Sequence, residues 1–359
     1  MPDAREHQFS ERVRGRFQSL HVLIGDTPLV ELDCVLDGVR VRVFAKHEVV
    51  NMTGSIKDRM ALRILEEAWR SGRVRAGSVI VEATSGNTGI ALAALGRALG
   101  HPVRIFMPDW MSRERVLLIQ SLGAEVVPVS AEEGGFLGSI ARADLFARES
   151  EQHVFLPHQF ANEANVRAHA ESTGPELLHQ LRGLGVEPQA FVAGVGTGGT
   201  VMGIGAYLRS EVPGVRVHPL EPANSPTLRT GSKRGQHRIV GISDELVPPI
   251  VRLAELDAIV DVRDGDAILS AQRLARELGL GVGISSGANL LGALQVGKAL
   301  GPGSAVATVF PDSNKKYLST DLVRAEPCRE GDLTPRVEFR AVHVHARAGL
   351  GRPALARVP

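Results

Sequence analysis

Between Gly77 and Val129 the apolar positions fall into two alternating kinds of segment. Short runs rich in β-branched residues, SVIVE, PVRIFM and EVVPV, are separated by TGIALAALGRALG and RERVLLIQSLG, whose apolar spacing suits helices. Strand–helix repetition of this kind predicts a parallel sheet with crossover helices. The rhythm returns in the second half, where AFVAGV runs into GGTVMGIGAYLR, VRVHPLEP follows, and NLLGALQVGKAL precedes AVATVFP. Two α/β lobes with a cleft between them are therefore expected. Glycine-rich turns follow predicted strands at TSGNTG, GVGTGG and GISSGA, where the carboxyl ends of parallel strands form ligand crevices. They are expected to share one site. From about Asp332 no periodicity can be assigned, and disorder is expected after about Val342.

With 359 residues, 43% of them hydrophobic, the chain can bury a sizeable core. Its formal charge of +1 gives no global field for nucleic acid or an anionic membrane, so any anion site must be local. No apolar stretch reaches the eighteen or so residues a membrane span needs. Met1 to Phe17 mixes acidic residues with arginines and has no apolar run, which argues against a secretory signal and for a cytoplasmic protein. Cys34 and Cys328 are the only cysteines, too few for a disulfide framework and without the spacing of a zinc site. No metal is expected.

The six lysines are Lys46, Lys57, Lys233, Lys298, Lys315 and Lys316. Lys57 lies in NMTGSIKDRMALRILEEA, where small polar residues give way to an apolar helical pattern, so its amine sits at a loop-to-helix junction that a cofactor can reach. Covalent work at a carbonyl needs a partly desolvated lysine. The competing assignment is a solvated helix-start lysine paired with Asp58. In GVGTGGT, Gly194 to Thr200, glycines between a strand and a helix let backbone N–H groups converge on a phosphate. A dinucleotide turn is the alternative, but this one comes mid-chain, with no acidic residue ending a second strand at the expected distance. TSGNTG, Thr84 to Gly89, offers hydroxyls, an amide and N–H groups for a carboxylate; it also reads simply as a capped helix.

Together with their order, these segments resemble the fold-type II pyridoxal-phosphate enzymes, specifically the cysteine synthase and cystathionine β-synthase group. The resemblance runs from about Ile24 to Thr320, through IGDTPLVEL, NMTGSIKDRMA, EATSGNTGIALA, HQFANEANVRAHAESTGPEL, GVGTGGTVMGIG, LEPANSPTL, HRIVGIS, GVGISSGANL and PDSNKKYLST. It implies a two-lobed α/β fold with mainly parallel sheets. A large cofactor-binding lobe would take residues 24–58 and 161–330, and a small mobile lobe 59–160. A 23-residue amino-terminal extension and a tail from 331 complete the expected organisation.

By position, the resemblance implies that Lys57 is the Schiff-base lysine and that Asn87 hydrogen-bonds the cofactor's phenolic oxygen. Gly196, Thr197, Gly198, Gly199 and Thr200 would hold the phosphate. Ser285 would face the pyridine nitrogen, where a hydroxyl keeps the ring a weaker electron sink than a carboxylate would and so favours prompt β-loss. Thr84, Ser85, Thr88 and Gln159 would hold the substrate carboxylate, and Gly241 would line the cleft beside the reacting amino group. The implied reaction is β-replacement, making L-cysteine from O-acetylserine or O-phosphoserine and sulfide through an aminoacrylate. GSIKDR and SGNTG favour this over threonine dehydratase-like deamination. Cystathionine β-synthase-type or cysteine desulfhydrase-type chemistry is the alternative, and a catalytically silent scaffold the alternative of another class. The resemblance also implies a homodimer and a possible peptide-tail partner such as serine acetyltransferase. The charged amphipathic stretch before Ile24 suits a second subunit. The basic loop Gly231–Arg238, carrying Lys233 and Arg234, reads either as a solvated surface or as a reader of an anionic leaving group.

Overall fold

A computed structural model describes residues 11–243 and 245–349. Helix α1 (Glu11–Leu23) precedes a hairpin of β1 (Leu29–Leu36) and β2 (Val39–His47), and α2 (Lys57–Arg70) leads into a first sheet. That sheet is laid down as β3 (Val79–Ala83), α3 (Asn87–Leu99), β4 (Val103–Pro108), α4 (Arg113–Ser121), β5 (Glu125–Val129), α5 (Gly135–Glu149) and β6 (Val154–Phe155). Helices α6 (Glu163–Ala168) and α7 (Gly174–Gly183) return the chain to the second sheet. There follow β7 (Ala190–Gly194), α8 (Gly199–Glu211), β8 (Arg216–Pro222), the short α9 (Thr227–Thr230), β9 (Val260–Val262), α10 (Asp264–Leu278), α11 (Ile284–Leu300), β10 (Ser304–Phe310) and β11 (Val337–His345).

The smaller sheet has the order β5-β4-β3-β6 and is parallel throughout. The larger has the order β11-β1-β2-β10-β7-β8-β9, parallel from β2 to β9 and antiparallel at the β11–β1–β2 edge. Parallel strands covered on both faces read as unbroken apolar runs, and all seven residues of β10 are buried. Helices α10 and α11 cover one face of the large sheet, and α7 and α8 the other. The core of the small lobe joins α1, α2 and α3 to its sheet.

The amino-terminal stretch packs Phe17 and Leu20 into the core of its own small lobe, with His21 Nε2 3.2 Å from Glu66 Oε2, and leaves Val22 and Leu23 exposed. The expected disorder after Val342 does not hold up to Gly349. Val337–His345 pairs with β1 through register Leu36↔Val337 to Leu29↔His345, and Gln180 Nε2 donates to Ala346 O at 2.8 Å. The strand was illegible because an edge strand half open to water shows neither continuous apolarity nor strict alternation. Residues 350–359 lie outside the described residues.

Candidate active site

Lys57 is the first residue of α2, and the loop before it is pinned to the end of β10. Ile56 N–H donates to Pro311 O at 2.8 Å, and Ser55 bridges Asp312. Behind it, Arg59 is buried between Glu48 and Glu176, with Nε donating to Glu48 Oε2 at 2.6 Å and Nη2 to Glu176 Oε2 at 2.7 Å. Lys46 completes the cluster, 2.9 Å from the same Glu176 oxygen. These paired charges fix the start of α2 in depth and rotation, and with it the half-buried Lys57. The Asp58 carboxylate turns back to Thr53, accepting from its N–H at 2.8 Å and its hydroxyl at 2.5 Å. Burial pushes Asp58 up to about 6.

The TSGNTG turn joins β3 to α3 at the carboxyl end of the small sheet. Thr84 Oγ1 accepts from Gly86 N–H at 3.0 Å, and Thr88 Oγ1 donates to Gln159 Oε1 at 2.6 Å. Gln159 Nε2 donates to Ala83 O at 2.9 Å, so this side chain is tied to the turn at both ends. Glu82 supports the assembly from below, accepting from the N–H groups of Ala83 (2.9 Å) and Gln159 (3.1 Å). Its burial raises its pKa to about 7.

Opposite, β7 ends at Gly194 and α8 begins at Gly199, so Gly196–Gly198 form a tight bend at a helix N-terminus. A Cβ on Gly196 would fall 2.3 Å from Gly241 O, and one on Gly198, whose φ is +91°, would fall 2.1 Å from Val251 Cγ2. Only glycine fits either place. Beneath the loop, His169 Nδ1 pairs with Thr173 Oγ1 at 2.9 Å; burial, then the nearby Arg59 charge, lower its pKa to about 3. Ser285, in the first turn of α11, is 4% exposed.

One cleft is lined by Lys57, Thr84, Ser85, Asn87, Thr88, Gln159, Gly196, Thr197, Gly198, Thr200, Gly241 and Ser285. Of the expected residues only Gly199 is missing from that wall, because it packs behind it against Asn165. Lys233 and Arg234 do not line the cleft, and Lys233 pairs with Glu245 at 3.1 Å. The strand after the glycine loop, β8, does carry an acidic residue near its end, Glu221. Glu221 is buried, with Oε2 accepting from Leu228 N–H at 2.7 Å, and it does not line the cleft, which leaves the dinucleotide reading unsupported.

The sequence reading missed four residues of the site. Asp312 Oδ2 accepts from Asn87 Nδ2 at 2.8 Å and from the Tyr317 hydroxyl at 2.7 Å. Arg115, from α4, lines the cleft with its guanidinium carbon 4.5 Å from the centroid of the Tyr317 ring. Asn165 Nδ2 donates to Thr197 Oγ1 at 2.9 Å and to Gln159 O at 3.0 Å, tying the glycine loop to the backbone of the residue that holds Thr88. Asp312 and Tyr317 fall within the PDSNKKYLST segment and Asn165 within HQFANEAN, so the segments were visible but these side chains had no marked spacing. Arg115 had no signal at all, since RERVLLIQSLG reads only as a crossover helix and nothing in its spacing marks one arginine.

The residues present fit pyridoxal phosphate. A glycine-only loop at a helix start suits its phosphate. The buried Asn87 Oδ1 atom, in the cleft wall, has no hydrogen-bond partner, marking a polar place there still to be satisfied. Two lobes with parallel sheets, and one lysine, one asparagine and one phosphate cradle brought into the cleft between them, define the fold-type II class of pyridoxal-phosphate enzymes. Residues 20–312 match the family described as pyridoxal-phosphate dependent enzyme, and the chain belongs to it. It is 43% identical over 300 residues to the probable cysteine synthase of Bacillus subtilis (strain 168), covering 84% of this chain and 96% of that one. The hydrogen sulfide-producing enzyme Fn1055 of Fusobacterium nucleatum superposes with TM-score 0.88 at 51% identity, covering 92% of this chain and 99% of that one. Cysteine synthase from Entamoeba histolytica superposes with TM-score 0.80 at 33% identity, covering 88% and 93%. The protein is a cysteine synthase-like pyridoxal-phosphate enzyme. Among the described residues no helix is long and apolar enough to cross a membrane.

Proposed function

We propose that the protein catalyses β-replacement, making L-cysteine from an activated serine, O-acetylserine or O-phosphoserine, and sulfide. The observation that carries this reading is the convergence of Lys57, the TSGNTG hydroxyls, Asn87, the glycine loop and Ser285 on one cleft. Bound there, pyridoxal phosphate supplies an electron sink next to the substrate's α-carbon, which lets a β-substituent leave. Lys57 would be its covalent anchor, and the Lys57 amine would be the base that moves the α-proton. N–H groups and hydroxyls of Gly196–Thr200 hold the phosphate, and Asn87, steadied by Asp312, presents its amide to the ring hydroxyl. Ser285 offers the ring nitrogen a neutral hydroxyl, so β-loss is favoured over reactions that need a long-lived carbanion. Thr84, Ser85, Thr88 and Gln159 hold the carboxylate, with Gly241 beside the amino group. Closure of the small lobe excludes water. We further read the protein as a cytoplasmic homodimer whose cleft can accept a carboxyl-terminal peptide such as that of serine acetyltransferase.

A second reading is sulfide release from cysteine by the same β-chemistry, favoured by the 51% identity to a hydrogen sulfide-producing enzyme. Steady-state kinetics with O-acetylserine, O-phosphoserine, serine and cysteine, each with sulfide or homocysteine, decides between them. The first reading predicts the highest kcat/KM for an activated serine with sulfide. Faster sulfide release from cysteine alone would replace it with the second, and homocysteine as the preferred nucleophile would indicate cystathionine β-synthase-type chemistry.

A further inference from the structure

Among the described residues lining the cleft, two carry positive charge, Lys57 and Arg115, and none is a carboxylate. If Lys57 is spent on the cofactor, Arg115 is the standing cation of this wall. Its placement is specific. The stem lies against the backbone of Gly86 in the middle of TSGNTG, where a Cβ would fall 2.3 Å from Arg115 Cδ. The guanidinium is stacked under Tyr317, and Nη1 donates to Ser112 Oγ at 2.9 Å. Nη2 is buried with no hydrogen-bond partner, in a residue only 2% exposed. A buried guanidinium N–H left without an acceptor is costly unless a ligand supplies one.

We propose that Arg115 is a specificity-determining residue of the cleft, its Nη2 taking an oxyanion carried by the amino-acid substrate. The hydroxyls of Thr84, which accepts from Gly86 N–H, and Thr88, which donates to Gln159 Oε1, carry no charge. They can orient a carboxylate but cannot neutralise it. A planar guanidinium held between Gly86 and the Tyr317 ring can do so without reorganising. The oxyanion is either the α-carboxylate or the oxygen of a β-leaving acetyl or phosphate group. This inference rests on the β-replacement reading, and its test keeps the two apart.

The test uses holoenzyme of the wild type, R115Q and R115K. Binding is followed by calorimetry and by change in the cofactor's visible absorbance, with L-alanine, L-alaninamide, acetate, acetamide and inorganic phosphate as probes. The wild type should prefer acetate over acetamide. If the α-carboxylate is read, R115Q binds L-alanine at least about tenfold more weakly and L-alaninamide within about twofold of wild type. If the leaving group is read, R115Q instead loses acetate and phosphate while L-alanine is unchanged. R115K should recover part of either effect, which a purely packing role for the guanidinium would not produce. Equal binding of every probe by wild type and R115Q overturns the role of Arg115 and leaves β-replacement standing. A wild type that loads the cofactor but binds no amino acid overturns both.

Discussion

Single residues carry the chemistry, and several carry it in ways that can be measured apart from turnover. Ser285→Ala should weaken cofactor orientation yet preserve some β-elimination, because it removes one neutral hydrogen bond. Ser285→Asp is the sharper change, since a carboxylate facing the ring nitrogen would hold it protonated and stabilise carbanion character. Absorption spectra with amino-acid ligands should then show a new long-wavelength band and more side reaction; spectra unchanged from wild type would mean that Ser285 does not face the ring. His169 gives a pH signature. Its folded pKa is lowered to about 3 from an ordinary 6.5, so the unfolded chain binds the extra proton between those values. Its contribution is full above pH 6.5 and is lost as pH falls toward 3. Glu82, raised from 4.5 to about 7, acts in the opposite sense over its own window, with stability falling as pH rises. Denaturant unfolding of wild type and His169→Asn should therefore give a difference curve with a slope of about one proton in acid and none above neutrality. The same slope in both proteins would contradict the assignment. Residues with marked spacing, such as Lys57 and the glycines, were legible in the sequence. Asp312 and Arg115 were not, because only the fold brings them to Asn87 and Gly86.

At the scale of elements, periodicity placed β3, β4, β5, β7, β8 and β10 and the helices α3, α4, α8 and α11, since buried parallel strands and their crossovers repeat a strong apolar signal. β11 escaped because its outer positions, including Val342 and Val344, face water. It nevertheless closes an edge: removing it would bare β1 along its length and break the 2.8 Å contact between His345 Nε2 and Glu31 Oε2. Truncation after Arg336 should lower the melting temperature by on the order of 5 °C or more and promote association through the bared edge. Scanning calorimetry and light scattering check this, and an unchanged Tm would show that the strand adds nothing. In the glycine loop, Gly198→Ala demands a Cβ where Val251 already sits, at a φ of +91°. Cofactor affinity, measured by equilibrium dialysis, should fall at least about tenfold, with the fold retained.

At the scale of the molecule, the cleft lies between two sheets built from different parts of the chain, and a small set of contacts spans it. Ser319 Oγ donates to Glu114 Oε2 at 2.7 Å, and Ser112 Oγ to Lys316 O at 3.2 Å, joining α4 to the segment after β10. Such hydrogen bonds contribute roughly 0.5 to 1.5 kcal/mol each. Glu114→Ala and Ser319→Ala should each weaken amino-acid binding by about twofold to tenfold, and the double variant by no more than either alone. Additive losses would show that the two side chains do not act on each other. Two lobes and a shared site were legible in the order of the motifs. The contacts that span the cleft were not, since α4 and the 314–319 segment are some two hundred residues apart.

The proposed chemistry depends above all on Lys57 as the residue that holds pyridoxal phosphate. Borohydride reduction of the cofactor-loaded protein, followed by proteolysis and mass mapping, tests this directly, because reduction makes the linkage permanent at whichever lysine carries it. The expected result is a visibly absorbing protein labelled on Lys57 alone among the six lysines. A colourless protein that takes up no cofactor, or a label on Lys46, Lys233, Lys298, Lys315 or Lys316, would contradict it.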